Sequence, residues 1–141
     1  MKTACAGFLL LGLLAVRAAD AQNASPPSIW AGVFTAAQAK RGDDAYQASC
    51  SGCHGSDLQA TNPEAPNLTG PALMAKWSGK TLAERFETIR STMPPGNSNS
   101  LDDKTYMDIL AFILSSNEFP PGERELVPET AKTIVFVQKK P

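Results

Sequence analysis

The sequence predicts an all-α domain: three main helices joined by long loops, with a short β-like extension at the C-terminus. Three observations carry this reading. Apolar residues recur at helical spacing in three segments, each opened by a capping side chain. The stretch 55–70, with Pro63, Pro66 and two glycines, separates the first segment from the second and must be mostly loop. Only one run, 133–137 "TIVFV", has the β-branched character of a strand. Three helices with few aromatic residues make a thin core, so loops of this length need a large apolar body to pack on.

The elements follow in chain order. Residues 1–21 read as an export signal. Lys2 supplies the charged start, 6–16 "AGFLLLGLLAV" is apolar but too short to span a bilayer, and Ala19 and Ala21 place small residues where a signal peptidase cuts. A retained membrane anchor is the competing reading, and the shortness of the run speaks against it. Residues 22–32, beginning "QNASPPS", read as a flexible leader, 33–121 as the domain and 122–141 as the extension. The first helix covers 36–49, where Thr35 and Gln38 form a capping box. A short helical turn starts at Pro71, where a missing N–H costs nothing, and carries Leu73, Met74 and Trp77. The second main helix, 82–92, opens with the box Thr81–Glu84 and repeats Leu82, Phe86 and Ile89. The third, 103–116, is capped by Asp102 and puts Tyr106, Ile109, Leu110 and Ile113 on one face. After "FPPGE" the extension either straps the domain or offers a strand to a partner; strapping is the expected role.

Charge and cysteine content narrow the function. Without the signal, 11 basic and 13 acidic side chains leave a net charge of −2. That balance gives no electrostatic footprint for nucleic acid or an anionic membrane, and no stable insertion is expected after cleavage. Cys5 leaves with the signal, so only Cys50 and Cys53 remain, too few for a disulfide framework. Both lie in 50–54, "CSGCH", beside the chain's only histidine, His54. A redox dithiol opens a helix within a βαβ pattern, whereas this pair follows a helix. A structural zinc site needs four ligands, and only carboxylates could complete one here. The third chemistry is a c-type haem, with both thiols added to the vinyl groups and His54 as proximal iron ligand. One covalent haem c is therefore the expected cofactor.

With one histidine, the other side of the iron falls to a methionine or stays open. Met107 reads as helix filler and Met74 as a pocket-lining residue. Met93 follows the second helix and precedes Pro94-Pro95-Gly96, so Pro94 biases it to an extended backbone. A thioether on a proline-braced loop can be held against iron, which makes His54 and Met93 the expected metal ligands. Two filled axial positions leave one-electron transfer as the chemistry, and no catalytic residue is expected. The alternatives are an open-site ligand sensor and a peroxidase-like enzyme, for which no distal histidine remains.

Helix-"CSGCH", then "TMPPG", then the amphipathic "YMDILAFIL" resemble, in that order, the class I c-type cytochromes, over about 33–121. The resemblance implies their fold, with first and last helices crossing closely through Gly42 and Tyr46 on one side and Ile109 and Phe112 on the other. It implies that the Pro66 carbonyl accepts the Nδ1–H of His54, that Leu68 packs on the haem, and that Trp77 lies near a propionate. Plain core filling is the other reading of Trp77. "WAGVFTAAQAKRG" and "AKWSGKTLAERFETIRSTMPPG" look similar to small cytochromes associated with periplasmic quinoprotein dehydrogenases. What this implies is a periplasmic carrier with such a dehydrogenase as donor and a terminal oxidase or another cytochrome as acceptor.

Overall fold

The computed structural model describes residues 27–138; the expected export signal, 1–21, and residues 22–26 of the expected leader lie outside them. The order is a 3-10 turn Ile29–Ala31, then α1 Ala36–Ser49, α2 Ser51–His54, α3 Gly70–Trp77, α4 Leu82–Thr92, α5 Asp103–Ser116 and α6 Pro128–Ala131. Among the described residues no helix is long and apolar enough to cross a membrane.

The three main helices begin where their caps place them. Thr81 accepts the Glu84 N–H while Glu84 returns to the Thr81 N–H at 2.7 Å, a closed capping box. Asp102 accepts the Thr105 N–H at 2.8 Å. At α1 the expected box closes only halfway. Thr35 Oγ1 accepts the Gln38 N–H at 3.0 Å, but the Gln38 amide does not return. Its Nε2 donates to Leu126 O at 2.8 Å and its Oε1 accepts the Leu126 N–H at 2.7 Å. A buried amide gains more from two backbone partners than from one half-solvated N–H.

α1 and α5 form the framework. Gly42 lets them touch: a Cβ there would sit 1.8 Å from the Asp108 carbonyl oxygen. One turn on, Tyr46 and Phe112 meet with ring centroids 5.1 Å apart. Tyr106, Met107, Ile109, Leu110, Ala111, Ile113 and Leu114 are all buried, so α5 is the axis of the core.

The extension straps this framework and, among its described residues, forms no strand. Val135 makes isolated bridges to Ser28 and Thr81. Phe136 is fully buried between Trp77, at 5.5 Å, and Phe119, at 5.2 Å. Phe119 in turn packs on Trp30 at 4.5 Å, whose Nε1 donates to Val137 O at 2.9 Å. Residues 29–32 were expected in the flexible leader and instead belong to the folded body, with Ile29 fully buried. Neither terminal segment could hide its apolar side chains alone, and together they cover each other.

Asp108 locks α1 to α5 electrostatically. Its buried carboxylate takes Arg41 Nε at 2.9 Å and Lys104 Nζ at 2.8 Å, and Arg41 also reaches Glu125 at 2.8 Å. Burial pushes the Asp108 carboxyl up, but the bonds from Arg41 and Lys104 outweigh it, and the net shift is downward. A folded-state value below the unfolded one stabilises the protein above the unfolded value, about 3.9, and that contribution disappears as pH falls further. Asp108→Asn is expected to lose stability at neutral pH and to show a shallower acid limb in urea titrations between about pH 5 and 2. Identical acid limbs in the two proteins would remove this role from Asp108.

Candidate haem-binding site

The end of α1 builds the site. Cys50 closes α1, its N–H donating to Tyr46 O at 2.8 Å, and its own carbonyl accepts the His54 N–H at 3.0 Å, starting α2. Gly55 stops α2 with φ +76°; a Cβ there would meet Gln59 O at 2.0 Å. Tyr46 OH donates to Gly55 O at 2.8 Å, and burial pushes that phenol up to about 12. The Cys53 carbonyl accepts N–H groups of Thr61 and Asn62 at 3.0 and 3.2 Å. The motif is thus pinned from both flanks by backbone bonds.

Cys50 is half-buried and Cys53 exposed, and both are free thiols. Burial pushes Cys50 up to about 11. A thiol of that kind stays protonated at neutral pH, unlike the acidic thiol of a disulfide-exchange centre. Among the described residues no three His, Cys, Asp or Glu side chains converge as a metal-binding group. His54 is buried, with Nδ1 2.9 Å from Pro66 O. A carbonyl can only accept, so Nδ1 carries the proton and Nε2 keeps its lone pair for a metal.

The loop bearing Pro66 is itself held. Leu68 N–H donates to Leu58 O at 2.8 Å, and Asn67 Oδ1 accepts the Ala60 N–H at 2.8 Å. Asn117, at the end of α5, spends its whole amide on this region. Its Nδ2 donates to Leu68 O at 2.9 Å and Ile113 O at 2.8 Å, and its Oδ1 accepts the Gly70 N–H at 2.9 Å. Leu68 is half-buried against the core, as is Cys50. Trp77 is buried edge-on against Phe136, which is a core contact.

The methionines separate by environment. Met107 is buried inside α5, and Met74 on α3 is packed against the core. Met93 is half-buried and stands outside the side chains packed on that core. It ends α4 in an extended conformation, φ −123° and ψ 146°, and Tyr106 OH donates to its carbonyl at 2.8 Å. Sequence reasoning placed Tyr106 only on an apolar face and gave Asn117 no role. An asparagine ending a helix and a tyrosine with a polar tip were visible signals, but their partners lie 49 and 13 residues away.

The donor set fits a c-type haem: two thiols one helical turn apart and an imidazole held in the tautomer that presents Nε2. An all-α frame whose first helix delivers this motif, and whose last helix crosses it at a glycine, defines a class I mono-haem c-type cytochrome. Residues 37–113, more than half of the chain, match the family described as cytochrome C oxidase, cbb3-type, subunit III, and the chain belongs to that family. It is 36% identical over 94 residues to cytochrome c-551 of Bacillus subtilis (strain 168), an overlap of 64% of this chain and 75% of that protein. No solved structure matches it. Membership makes the chain a haem-based electron-transfer protein of the haem c type.

Proposed function

We propose that the chain carries a single haem attached through Cys50 and Cys53, with His54 and Met93 as axial ligands, and shuttles electrons in the periplasm. The observation that carries this is the bond from His54 Nδ1 to Pro66 O. It commits the only histidine to one tautomer and one ring orientation, and a carbonyl partner raises its basicity as a ligand. When bound, the group supplies reversible one-electron chemistry at iron. The protein's part is to hold it still. Cys50 and Cys53 tether one edge, and exposed Cys53 puts that edge at the surface where a partner can approach. Met93 is fixed at its backbone by Tyr106 and by its own N–H bond to Ile89 O at 2.8 Å. A soft thioether opposite histidine favours ferrous iron, so the potential is positive.

A quinoprotein dehydrogenase as donor and a terminal oxidase or another cytochrome as acceptor complete the proposal. The family's description as a cbb3-type oxidase subunit supports the oxidase side. Docking is weak and brief, as in small electron-transfer interfaces. The test is the ferric optical spectrum of protein matured with haem-attachment machinery. Wild type is expected to show the weak long-wavelength band of sulfur on ferric iron, and Met93→Ala to lose it. A high-spin wild type without that band would mean an open site, and the electron-shuttle assignment would give way to ligand binding.

A further inference from the structure

Pro94 deprives α4 of a donor, and Asn99 supplies it. In a helix each carbonyl is taken by the N–H four residues on. Ile89 O takes the Met93 N–H at 2.8 Å in this way. The next carbonyl, Arg90 O, would take residue 94, and a proline has no N–H to give. Instead the Asn99 N–H comes back to Arg90 O at 2.8 Å, and Asn99 Oδ1 accepts from Arg90 Nη1 at 3.1 Å. Reaching back puts Asn99 at φ +59°, in the left-handed region. Among non-glycine residues asparagine is one of the few that enter it readily.

This bond closes the loop 93–99 onto the last turn of α4. Within it, Asn97 N–H donates to Pro94 O at 2.9 Å, and Tyr106 OH holds Met93 O at 2.8 Å. Packing adds little: residues 95–100 are exposed, and Leu101 is the first side chain beyond them packed on the core. The position of Met93 therefore depends on backbone bonds at both ends of its loop. We propose that Asn99 is a positioning residue for Met93: it fastens the far end of the loop to α4 and so keeps the thioether on the iron against competing ligands. The inference rests on the reading of Met93 as an axial ligand. A loop released at Asn99 stays tied at Met93 and next at Leu101, and that longer span gains conformations with the sulfur away from the iron. Their population is what a competing ligand exploits.

Covalent haem is first established in wild type by the pyridine spectrum of the denatured protein. Imidazole is then titrated into the ferric protein at pH 7, with loss of the sulfur–iron band as the readout of displacement. Wild type is compared with Asn99→Val, Asn99→Gly and Asn99→Asp, and with Asp108→Asn as a variant of lowered stability outside the loop. Valine is strained at a left-handed backbone and loses the side-chain bond, so Asn99→Val is expected to bind imidazole about tenfold more tightly. Glycine keeps the backbone bond and loses only the side-chain one, for which about threefold is expected. Aspartate tolerates the left-handed backbone, keeps its acceptor and is expected to match wild type. Asp108→Asn is expected to unfold at lower urea yet bind imidazole as wild type does. An unchanged imidazole constant in Asn99→Val, or in Asn99→Gly where the valine variant fails to mature, overturns the proposal. Equal tightening in Asp108→Asn also overturns it, because general destabilisation would then account for the effect. A wild type with covalent haem but no sulfur–iron band overturns the Met93 reading instead.

Discussion

Gly42→Val is expected to abolish the folded, haem-competent domain, whereas Gly52→Ala is expected to be tolerated. At Gly42 even the first carbon of a side chain would stand 1.8 Å from the Asp108 carbonyl oxygen and 2.4 Å from its carbon. Those are backbone atoms of α5, which cannot rotate away. Alanine in mid-helix ordinarily gains up to about 1 kcal/mol over glycine. Here that gain is overwhelmed, since separating α1 from α5 also pulls apart Tyr46 and Phe112 and the Arg41–Asp108 pair. Forced overpacking typically costs about 1–3 kcal/mol, and loss of the crossing costs more. At Gly52, between the two cysteines, a Cβ meets nothing within 4 Å. Urea unfolding and haem yield in both variants check this: a Gly42→Val protein with wild-type stability would mean that α1 and α5 can move apart freely.

That crossing also explains what could be read in advance. The bounds of α1, α4 and α5 were legible because Thr35, Thr81 and Asp102 act on groups three residues away. Local chemistry is written locally. The "CSGCH" stretch stood out for the same reason, as five consecutive residues. What escaped was set by distant partners. Gln38 has the spacing of a capping box but answers to Leu126, 88 residues on. Ile29 and Trp30 follow a polar, proline-bearing stretch and looked like leader, yet Phe119 and Val137 give Trp30 its packing and hydrogen bond. The "TIVFV" run has strand composition, but its one bridging residue meets a turn and a helix cap, so no ladder forms.

Asn117 governs the other long-range dependence, and its replacement is expected to be nearly as damaging as that of Gly42. Leucine is close in size but makes none of the three bonds, leaving Gly70 N–H, Leu68 O and Ile113 O without partners in a half-buried region. Each loss costs about 1–3 kcal/mol, less where water reaches the group, so Asn117→Leu should lose about 2–4 kcal/mol in urea titration. Asn117→Asp separates the contributions. Aspartate can still accept from Gly70 N–H but cannot donate, and it sets negative oxygens against two carbonyls. It is therefore expected to rescue little. Full rescue by aspartate would show that the two donated bonds contribute nothing. The functional consequence travels along the backbone: Asn117 holds Leu68 O, and Pro66, two residues earlier, holds His54 Nδ1. A loop free to drift weakens that second bond, lowers the basicity of the imidazole and loosens its orientation. The Asn117 variants should thus shift the reduction potential upward and broaden the histidine ring signals in NMR, although Asn117 itself lies one residue beyond α5 and makes no bond to the "CSGCH" motif.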